Sequence, residues 1–406
     1  MREFVETIII GGGQAGLAMS YYLCQHQREH IVFERGRIAE RWRSERWDSL
    51  VFQFPNWMMR LPGHAYAGTD PDGFTEREGV VRFISQYATH FSPPMRCGTG
   101  VTRLSATDSG RLLVQAGQLT MEAANVVVAT GPYQLPSIPP WSAALPHRTH
   151  QISANRYTCP ADLPVGSVLV VGSGGSGVQI VEDLVQDGRH VYFSLRRHRL
   201  VPRRYRGHDV GWWFEETGML DRTVENIPPG WRAPLLTGVG GGRTIRIRDL
   251  PKQGVTLLGS LLDIRDRHLF FSADLNENLA AGDATFQQFI ESTDAYVDKH
   301  GIEVGPRGEF ESEMLARAAR LPEMEQLDIG SANINTVIWA TGYRPDFGWI
   351  ECPVFNEHGM PVHSRGLTDV CGLSFLGLPR MHKVKSAFLW GVGEDAEYLA
   401  HRIVRQ

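Results

Sequence analysis

A glycine-rich loop near the N-terminus has the residue spacing that could hold nucleotide phosphates. In "ETIIIGGGQAGLAMSYYL" a β-branched run, 7–10, precedes Gly11, Gly13 and Gly16, and an amphipathic stretch follows. In such a loop one glycine makes the turn, the second lets backbone N–H groups approach a pyrophosphate, and the third lets the helix pack closely on the strand. The helix N-terminus then faces the phosphates. The order strand, turn, helix therefore indicates a dinucleotide site.

An acidic residue follows this loop at the spacing of a ribose contact. The next apolar run, "HIVFERG", ends in Glu34. An acid about twenty residues after the loop accepts hydrogen bonds from an adenosine ribose. Glycine turns between a strand and a helix are common, so Glu34 is the residue that favours dinucleotide binding over a simple turn.

The same pattern occurs a second time with a different ending. In "GSVLVVGSGGSGVQIVEDL" the glycines are Gly172, Gly174 and Gly177, and the next strand, "HVYFSLRRHR", ends in Arg196 and Arg197 where the first copy has an acid. A guanidinium there suits a ribose that carries a 2′-phosphate, because it offers a charge-assisted contact. A solvated basic strand end is one alternative, and a nucleic-acid patch over "RRHRLVPRRYRGH" is another.

Two Ala-Thr-Gly turns repeat in parallel with the two loops. "NVVVATGPYQLP" contains Thr130 and Gly131, and "NTVIWATGYRPDF" contains Ala340, Thr341 and Gly342. We predict that a buried strand ends at each turn and that the small residues let the chain pass a bound nucleotide as it leaves one domain for the other. Taken singly, either turn is also explained as the plain end of a buried strand.

The composition is that of an ordinary globular chain of two or three lobes. The 406 residues are 42% hydrophobic and 21% charged, with a net charge of −4, which favours neither disorder nor attraction to nucleic acid. The five cysteines form no CxxC pair, which argues against a zinc site and a dithiol centre. "MREFVETIII" has no signal-peptide core, and no stretch has the apolar length of a membrane span. We expect a cytoplasmic protein without metal or membrane anchor.

These features together resemble the class B flavin-dependent monooxygenases, the flavin-containing and Baeyer–Villiger-like enzymes that carry FAD and NADPH on one polypeptide. The resemblance spans both loops, "WRSERWDSL", both Ala-Thr-Gly turns and the ending "GLSFLGLP…GVGEDAEYLAHRI". It implies an α/β fold of two Rossmann-like dinucleotide-binding domains, with the NADP domain inserted into the FAD domain. The implied FAD domain is 1–155 with 331–406, and the implied NADP domain is 156–330, with an inserted substrate-side segment at about 205–302.

The resemblance also implies which residues contact the cofactors. It assigns FAD to the first loop and Glu34, and NADPH to the second loop and Arg196 or Arg197. The remaining candidate cofactor contacts are Gln14, Ala15, Arg35, Trp42, Trp47, Asp48, Thr130, Gly131, Ala340, Thr341, Gly342 and Glu394. Trp42, Trp47 and Asp48 are equally well explained as core aromatics with a capping acid. Glu394 lies at the start of a C-terminal helix whose positive end would point at the flavin.

The chain departs from the family at two places. Between the domains, "WSAALPHRTHQISANRY" matches the linker signature at His150 but has Ala144 and Pro146 where phenylalanine and glycine belong, so it favours neither named subgroup. The catalytic asparagine of the family is matched by Gln53 in "FQFPNW", with Asn56 as the other candidate. The amide of glutamine can still donate and accept hydrogen bonds.

The implied activity is an NADPH- and O2-dependent oxygenation of a small organic molecule, by N- or S-oxygenation or Baeyer–Villiger insertion, through a C4a-peroxyflavin that bound NADP+ shields from water. The alternatives are an NADPH-dependent flavin oxidoreductase or oxidase without oxygen insertion and a non-catalytic redox-sensing flavoprotein. No nucleic-acid partner is expected, and a homodimer stays open. Trp212, Trp213 and Phe214 are either core or dimer contacts or a wall of the substrate pocket.

Overall fold

The protein is described by a computed structural model, which covers residues 3–228, 230–307 and 319–405. In chain order the strands are β1 (Glu3–Ile10), β2 (His30–Phe33), β3 (Arg60–Leu61), β4 (His64–Ala65), β5 (Met95–Arg96), β6 (Val101–Ala106), β7 (Leu112–Ala116), β8 (Leu119–Val128), β9 (Leu135–Pro136), β10 (His150–Ser153), β11 (Ser167–Val171), β12 (Val191–Ser194), β13 (Arg204–Tyr205), β14 (His208–Asp209), β15 (Val255–Leu258), β16 (Leu261–Arg265), β17 (His268–Phe271), β18 (Gln326–Asp328), β19 (Ile334–Trp339), β20 (Tyr343–Arg344) and β21 (Leu373–Phe375). The helices are α1 (Gln14–Gln25), α2 (Glu40–Ser44), α3 (Arg77–Phe91), α4 (Gly175–Gln186), α5 (Val210–Glu216), α6 (Val239–Gly242), α7 (Leu275–His300) and α8 (Val392–Val404). Within the described residues, no helix has the length and apolar character needed to cross a membrane.

The first lobe is built on a sheet in the order β5-β2-β1-β8-β7-β6, with β21 also paired to β8. Strands β1, β2, β5, β8 and β21 are parallel, and β6, β7 and β8 form an antiparallel meander. The end of β1 is buried on both faces, as a central parallel strand requires. Helices α1 and α8 pack against each other on this lobe.

The second lobe repeats this plan with a sheet in the order β10-β19-β11-β12-β15, in which all pairs are parallel. In each lobe the strand before the glycine loop lies between the strand after the helix and the strand that ends in Ala-Thr-Gly. A second antiparallel meander, β16-β17-β18, accompanies this sheet. The predicted α/β fold with two Rossmann-like lobes, one inserted into the other, is confirmed.

The second lobe extends beyond the bounds expected from the sequence. Strand β10 precedes residue 156 and β19 follows residue 330, yet both pair within the second sheet. The expected insertion at 205–302 is also narrower, because β15 is the edge strand of this sheet and β16 and β17 form its meander. The part outside the nucleotide-binding fold therefore lies between β12 and β15.

The two crossings between the lobes run side by side. Strand β9 pairs antiparallel with β20. Strand β20 follows its Ala-Thr-Gly turn directly, and β9 begins a few residues after the other turn. Thr341 strengthens the pairing, since its hydroxyl donates to the carbonyl of Ser137 at 2.5 Å. Both links between the lobes are thus joined in one two-stranded ribbon.

The lobes also exchange core residues. Trp47 and Leu50, from the first lobe, belong to the hydrophobic cluster of the second sheet, while Phe214 and Leu236 belong to the cluster around α1 and α8. Because residues of each lobe are buried in the core of the other, the two glycine loops are held next to each other.

Candidate functional site

One cavity of about 1370 Å³ lies at the carboxyl ends of the central strands of both lobes. This edge of an open parallel sheet is where such folds bind ligands. The predicted site residues that line it are Gly11, Gly13, Gln14, Ala15, Glu34, Arg35, Trp42, Trp47, Gln53, Thr130, Gly131, Gly172, Gly174, Arg196, Arg197, Ala340, Thr341 and Gly342. The predicted residues outside its lining are Gly16, Asp48, Asn56, Gly177 and Glu394.

The three glycines of the first loop have three different surroundings. A Cβ on Gly11, whose φ is +117°, would lie 2.5 Å from the carbonyl oxygen of Ala129, and a Cβ on Gly16 would lie 1.8 Å from the carbonyl oxygen of Gly11. A Cβ on Gly13 would meet nothing within 4 Å. Gly11 and Gly16 are therefore required by packing inside the fold, whereas Gly13 leaves open space on the cavity side.

The second loop reproduces this geometry. Gly172 has a φ of +110° and its Cβ would lie 2.4 Å from the carbonyl oxygen of Ala340, while a Cβ on Gly177 would lie 1.9 Å from the carbonyl oxygen of Gly172. Gly174, like Gly13, would meet nothing within 4 Å. The small alanine of each Ala-Thr-Gly turn thus packs directly on the first glycine of each loop, which explains why the two motifs occur together.

Glu34 is already held by the first loop. Its carboxylate accepts hydrogen bonds from the backbone N–H groups of Gly12 and Gly36, both at 2.7 Å. A carboxylate offers about four acceptor positions. The remaining two are free to accept the hydroxyls of a ribose.

The two arginines that follow β12, Arg196 and Arg197, have different partners. Arg197 forms an ion pair with Glu277, and both side chains are exposed. Arg196 has no acceptor for its side chain within the described part of the chain, and its backbone is fixed by two hydrogen bonds with the hydroxyl of Ser173 in the loop. Of the two, Arg196 is the guanidinium that is free to meet a phosphate.

Trp42, Trp47 and Asp48, in α2 and the segment after it, lie in three different environments. The ring of Trp42 lies in the cavity wall, and Trp47 is 3% exposed in the core of the second lobe with one edge on the cavity. Asp48 is exposed and pairs with Arg77 at 2.8 Å, away from the cavity. The two tryptophans therefore serve as both core and wall, and Asp48 is a surface ion pair.

Gln53 and Asn56 are separated by the structure. Gln53 lies in the cavity wall, and a Cβ on Gly175 at the start of α4 would be 3.9 Å from its Oε1. Asn56 is 4% exposed and its Nδ2 donates to the carbonyl of Asp70 at 2.9 Å. The amide that faces both the cavity and the second loop belongs to Gln53.

Gln53 is positioned by a buried ion pair that the sequence did not indicate. Arg203, 2% exposed, donates from Nη1 to the backbone carbonyl of Gln53 at 2.7 Å and from Nε to Asp209 at 2.7 Å. Its guanidinium also lies 4.4 Å from the ring centre of Phe74. This arginine ties the insertion to the segment that carries Gln53.

The C-terminal helix begins beside the cavity, but Glu394 points elsewhere. Its carboxylate is bound by Lys383 and Lys385, which also contact Asp221, and these lysines hold its pKa below the usual value although burial opposes this. The chain just before α8 does reach the cavity, where the side chain of Gln14 donates to the carbonyl of Ala387 at 2.6 Å.

The aromatic cluster of the insertion does not form a cavity wall. Trp213 and Phe214 are 0% and 2% exposed in the core, and Trp212 stacks on His208 with ring centres 3.9 Å apart. Of the two explanations, core packing applies to Trp213 and Phe214. The insertion lines the cavity instead through Trp231 and the residues that follow it, up to Leu235.

Comparison with known proteins gives the family. A profile described as pyridine nucleotide-disulphide oxidoreductase matches residues 8–209. An uncharacterized CzcO-like oxidoreductase of Geobacillus kaustophilus (strain HTA426) is 34% identical over 408 residues, which cover 100% of this chain and 99% of the relative. The chain belongs to the CzcO-like oxidoreductases.

Solved structures agree with this family on the fold. A flavin-containing monooxygenase from Stenotrophomonas maltophilia has a TM-score of 0.69 at 19% identity, over 99% of both chains. OTEMO in complex with FAD and NADP has a TM-score of 0.55 at 14% identity, over 99% of this chain and 85% of that one. The resemblance to the two-domain flavin-dependent monooxygenases is confirmed, and FAD with NADPH is the cofactor pair expected of this fold.

The residues present fit both dinucleotides. The open spaces at Gly13 and Gly174 are where a pyrophosphate can approach backbone N–H groups. Glu34 places an acid at one loop and Arg196 a base at the other, which is the charge difference expected between a site for a plain ribose and a site for a 2′-phosphate.

The CzcO-like chain does not bring a thiol to this site. All five cysteines lie in the described part of the chain, all are unpaired, and none lines the cavity. The disulphide chemistry in the name of the matching profile therefore finds no cysteine partner at the cavity.

Proposed function

We propose that this oxidoreductase is an NADPH- and O2-dependent flavoprotein monooxygenase that oxygenates a small organic molecule. The observation that carries the proposal is that one cavity reaches both glycine loops, with the amide of Gln53 in its wall. Bound FAD would accept two electrons from NADPH and pass them to O2, and the protein supplies binding and orientation.

The glycine loops bind and separate the two dinucleotides in this proposal. Backbone N–H groups beside Gly13 and Gly174 hold the pyrophosphates, Glu34 accepts from the FAD ribose, and Arg196 binds the 2′-phosphate of NADPH. Each dinucleotide therefore enters the cavity from its own lobe, and the two reacting ends meet between the lobes.

An aromatic wall supports exclusion of water. Phe54 and Trp390 pack edge to face with ring centres 4.7 Å apart, and Phe388 lies 4.9 Å from Trp390. Phe54 and Trp390 are 5% and 9% exposed, and all three rings line the cavity. An oxygenase needs such a dry site, because water and stray protons divert reduced oxygen to hydrogen peroxide.

Gln53 is the residue proposed to act on the reaction itself. Its amide both donates and accepts hydrogen bonds, and its position opposite the start of α4 lets it contact the nicotinamide end of a dinucleotide on the second loop. Its role is to hold that end in place while oxygen is transferred.

The test follows electrons and oxygen atoms together. FAD-loaded protein is mixed with NADPH under 18O2 and a panel of tertiary amines, thioethers, ketones and aryl carboxylates, and NADPH oxidised, H2O2 formed and labelled product are measured. One labelled oxygen in a product for each NADPH oxidised supports oxygenation. Recovery of all electrons as H2O2 with every compound would instead identify an oxidase.

A pair of variants tests Gln53. Gln53→Leu keeps the approximate volume and removes the amide, so NADPH oxidation should persist while the H2O2 formed per NADPH rises. Asn56→Leu is the matched control, since Asn56 lies outside the cavity lining. Unchanged H2O2 yield in Gln53→Leu would remove Gln53 from the site.

A further inference from the structure

The six arginines between residues 196 and 206 are not equivalent in their partners. Within the described residues, four of them have protein acceptors: Arg197 with Glu277, Arg203 with Asp209, Arg204 with the carbonyls of Gly241 and Gly242, and Arg206 with Asp294. Two have none for their side chains, and these are Arg196 and Arg199. Arg196 is exposed at the strand end where the 2′-phosphate of NADPH is proposed to bind.

Arg199 is a half-buried cation in the cavity wall. Its Nε is enclosed and finds no hydrogen-bond partner in the described part of the chain. Burial lowers the pKa of this guanidinium, and no carboxylate among the described residues opposes the effect. The enclosed Nε has left water without gaining a hydrogen bond, which is unfavourable.

An aromatic surface accompanies this charge. The guanidinium of Arg199 lies 5.8 Å from the ring centre of Trp231, within the range of a cation–π contact. Trp231, Pro234 and Leu235 continue the same wall, and the N–H of Leu235 donates to the carbonyl of Arg199 at 2.9 Å. The wall therefore places the guanidinium of Arg199 beside an aromatic and apolar surface, and a backbone hydrogen bond holds the two together.

Arg199 is separated from the dinucleotide contacts by its chain position. Arg196 leaves β12 beside Ser173 of the second loop, whereas Arg199 follows the buried His198 and faces the insertion. The insertion is also the part of the second lobe that lies outside the nucleotide-binding fold. A ligand that touches both Arg199 and Trp231 therefore lies against the part of the cavity wall that the insertion forms.

We propose that Arg199 and Trp231 form the substrate-recognition pair, and that the substrate is an organic carboxylate with an aromatic body. This assignment rests on the proposed function, because it names the substrate class of the same cavity. The carboxylate pairs with the guanidinium, and the ring lies against Trp231 and the apolar residues beside it. Arg199 is thus a specificity-determining residue.

Binding of a matched pair of probes tests the assignment. 3-Phenylpropionate and 3-phenylpropionamide have nearly the same shape and differ in charge, and their dissociation constants are measured by calorimetry on FAD-loaded protein saturated with NADP+. A charge-assisted contact in a partly buried site corresponds to a preference of about 10- to 100-fold for the carboxylate. Trp231→Leu should weaken both probes alike, since both present the same ring.

The variants separate the two unpaired arginines. Arg199→Gln should abolish the preference for the carboxylate and leave the NADP+ dissociation constant unchanged, and Arg199→Lys should retain part of the preference. Arg196→Gln is the matched control, which should weaken NADP+ and keep the preference. Melting curves of each variant test whether the fold is intact, which is expected because Arg199 has no ion pair to lose among the described residues.

Three results would overturn the assignment: equal binding of the two probes by the unaltered protein, binding of neither, or weaker NADP+ binding in Arg199→Gln with the carboxylate preference kept. Because the readout is binding, it is independent of the labelled-oxygen experiment. If the protein prefers the carboxylate probe but forms no labelled product, the anion site at Arg199 is supported and the monooxygenase activity is refuted. If labelled product forms from uncharged compounds and the carboxylate probe is not preferred, the monooxygenase activity is supported and the anion site is refuted.

Discussion

Alanine substitutions in the first glycine loop separate folding from cofactor binding. Gly13 has φ −86° and ψ −171°, a conformation open to any residue, and a Cβ there meets no atom within 4 Å. Gly13→Ala should therefore fold, and a flexible glycine replaced at a compatible position adds about 0.4–1 kcal/mol of stability. The methyl group would occupy the space that a pyrophosphate needs, and loss of one charge-assisted hydrogen bond corresponds to about 10- to 100-fold in FAD affinity.

Gly16→Ala is the matched control with the opposite expectation. Its Cβ would lie 1.8 Å from the carbonyl oxygen of Gly11, so α1 must move away from β1. Such overpacking costs about 1–3 kcal/mol or more. The assay is thermal melting of flavin-free protein together with FAD titration, and the same pair can be made at Gly174 and Gly177 with NADP+ as ligand.

Either of two results would contradict these expectations. If Gly13→Ala folds and binds FAD as tightly as the unaltered protein, the open space in the first loop is not the pyrophosphate site. If Gly16→Ala melts at the unaltered temperature, the close contact between helix and strand does not constrain the fold.

Three further predictions concern charges. Arg196→Ala combined with Arg197→Ala should reduce the preference for NADPH over NADH by about 10- to 100-fold in kcat/KM, and equal use of the two by the unaltered protein would contradict the assignment. Asp209→Ala leaves Arg203 buried without its carboxylate and should lower the free energy of unfolding by about 3–5 kcal/mol in urea titration, whereas a loss below about 1 kcal/mol would show that the pair is not structural. Burial raises the pKa of Glu182 to about 6 from the usual 4.5, so its charged form opposes folding, and the stability that the neutral form provides below pH 4.5 is lost as the pH rises through 6. Glu182→Gln should add about 2 kcal/mol at pH 8 and nothing near pH 4, and a gain independent of pH would refute this.

The sequence predicted those parts of the fold that local residue patterns encode. The spacing of each glycine loop is fixed because its first and third glycines pack closely against backbone carbonyls. Each strand that ends in Ala-Thr-Gly lies directly beside its loop. The pairing of β9 with β20 and the place of β10 in the second sheet carry no such local signal. They join segments about 186 to 209 residues apart, and only the assembled fold decides them.

The position of a residue at the cavity was predictable where it follows a glycine loop at a fixed spacing, as Glu34 and Arg196 do. The position was not predictable where an ion pair turns the side chain away from the cavity. Asp48 turns to Arg77, and Glu394 turns to two lysines, although both belong to segments that border the cavity.

The insertion did contain a signal for its aromatic cluster. Val210, Trp213 and Phe214 have the i, i+3, i+4 spacing of a buried helix face, which places Trp212 on the other side. Arg199 has no comparable signal, because it stands among several arginines and only the structure separates paired from unpaired ones.

The duplicated loops show where cofactor selectivity must lie. The two loops have the same backbone geometry. In each, the first glycine has a positive φ, the second has open space where a Cβ would lie, and the third packs against the carbonyl of the residue five positions earlier. Backbone N–H groups therefore bind a pyrophosphate at either loop and cannot distinguish FAD from NADPH. In the proposed assignment, discrimination is left to the end of the neighbouring strand, where the carboxylate of Glu34 would disfavour a 2′-phosphate and the guanidinium of Arg196 would favour it. Because both loops open to one cavity, we expect this single difference in charge to decide which dinucleotide approaches from which lobe.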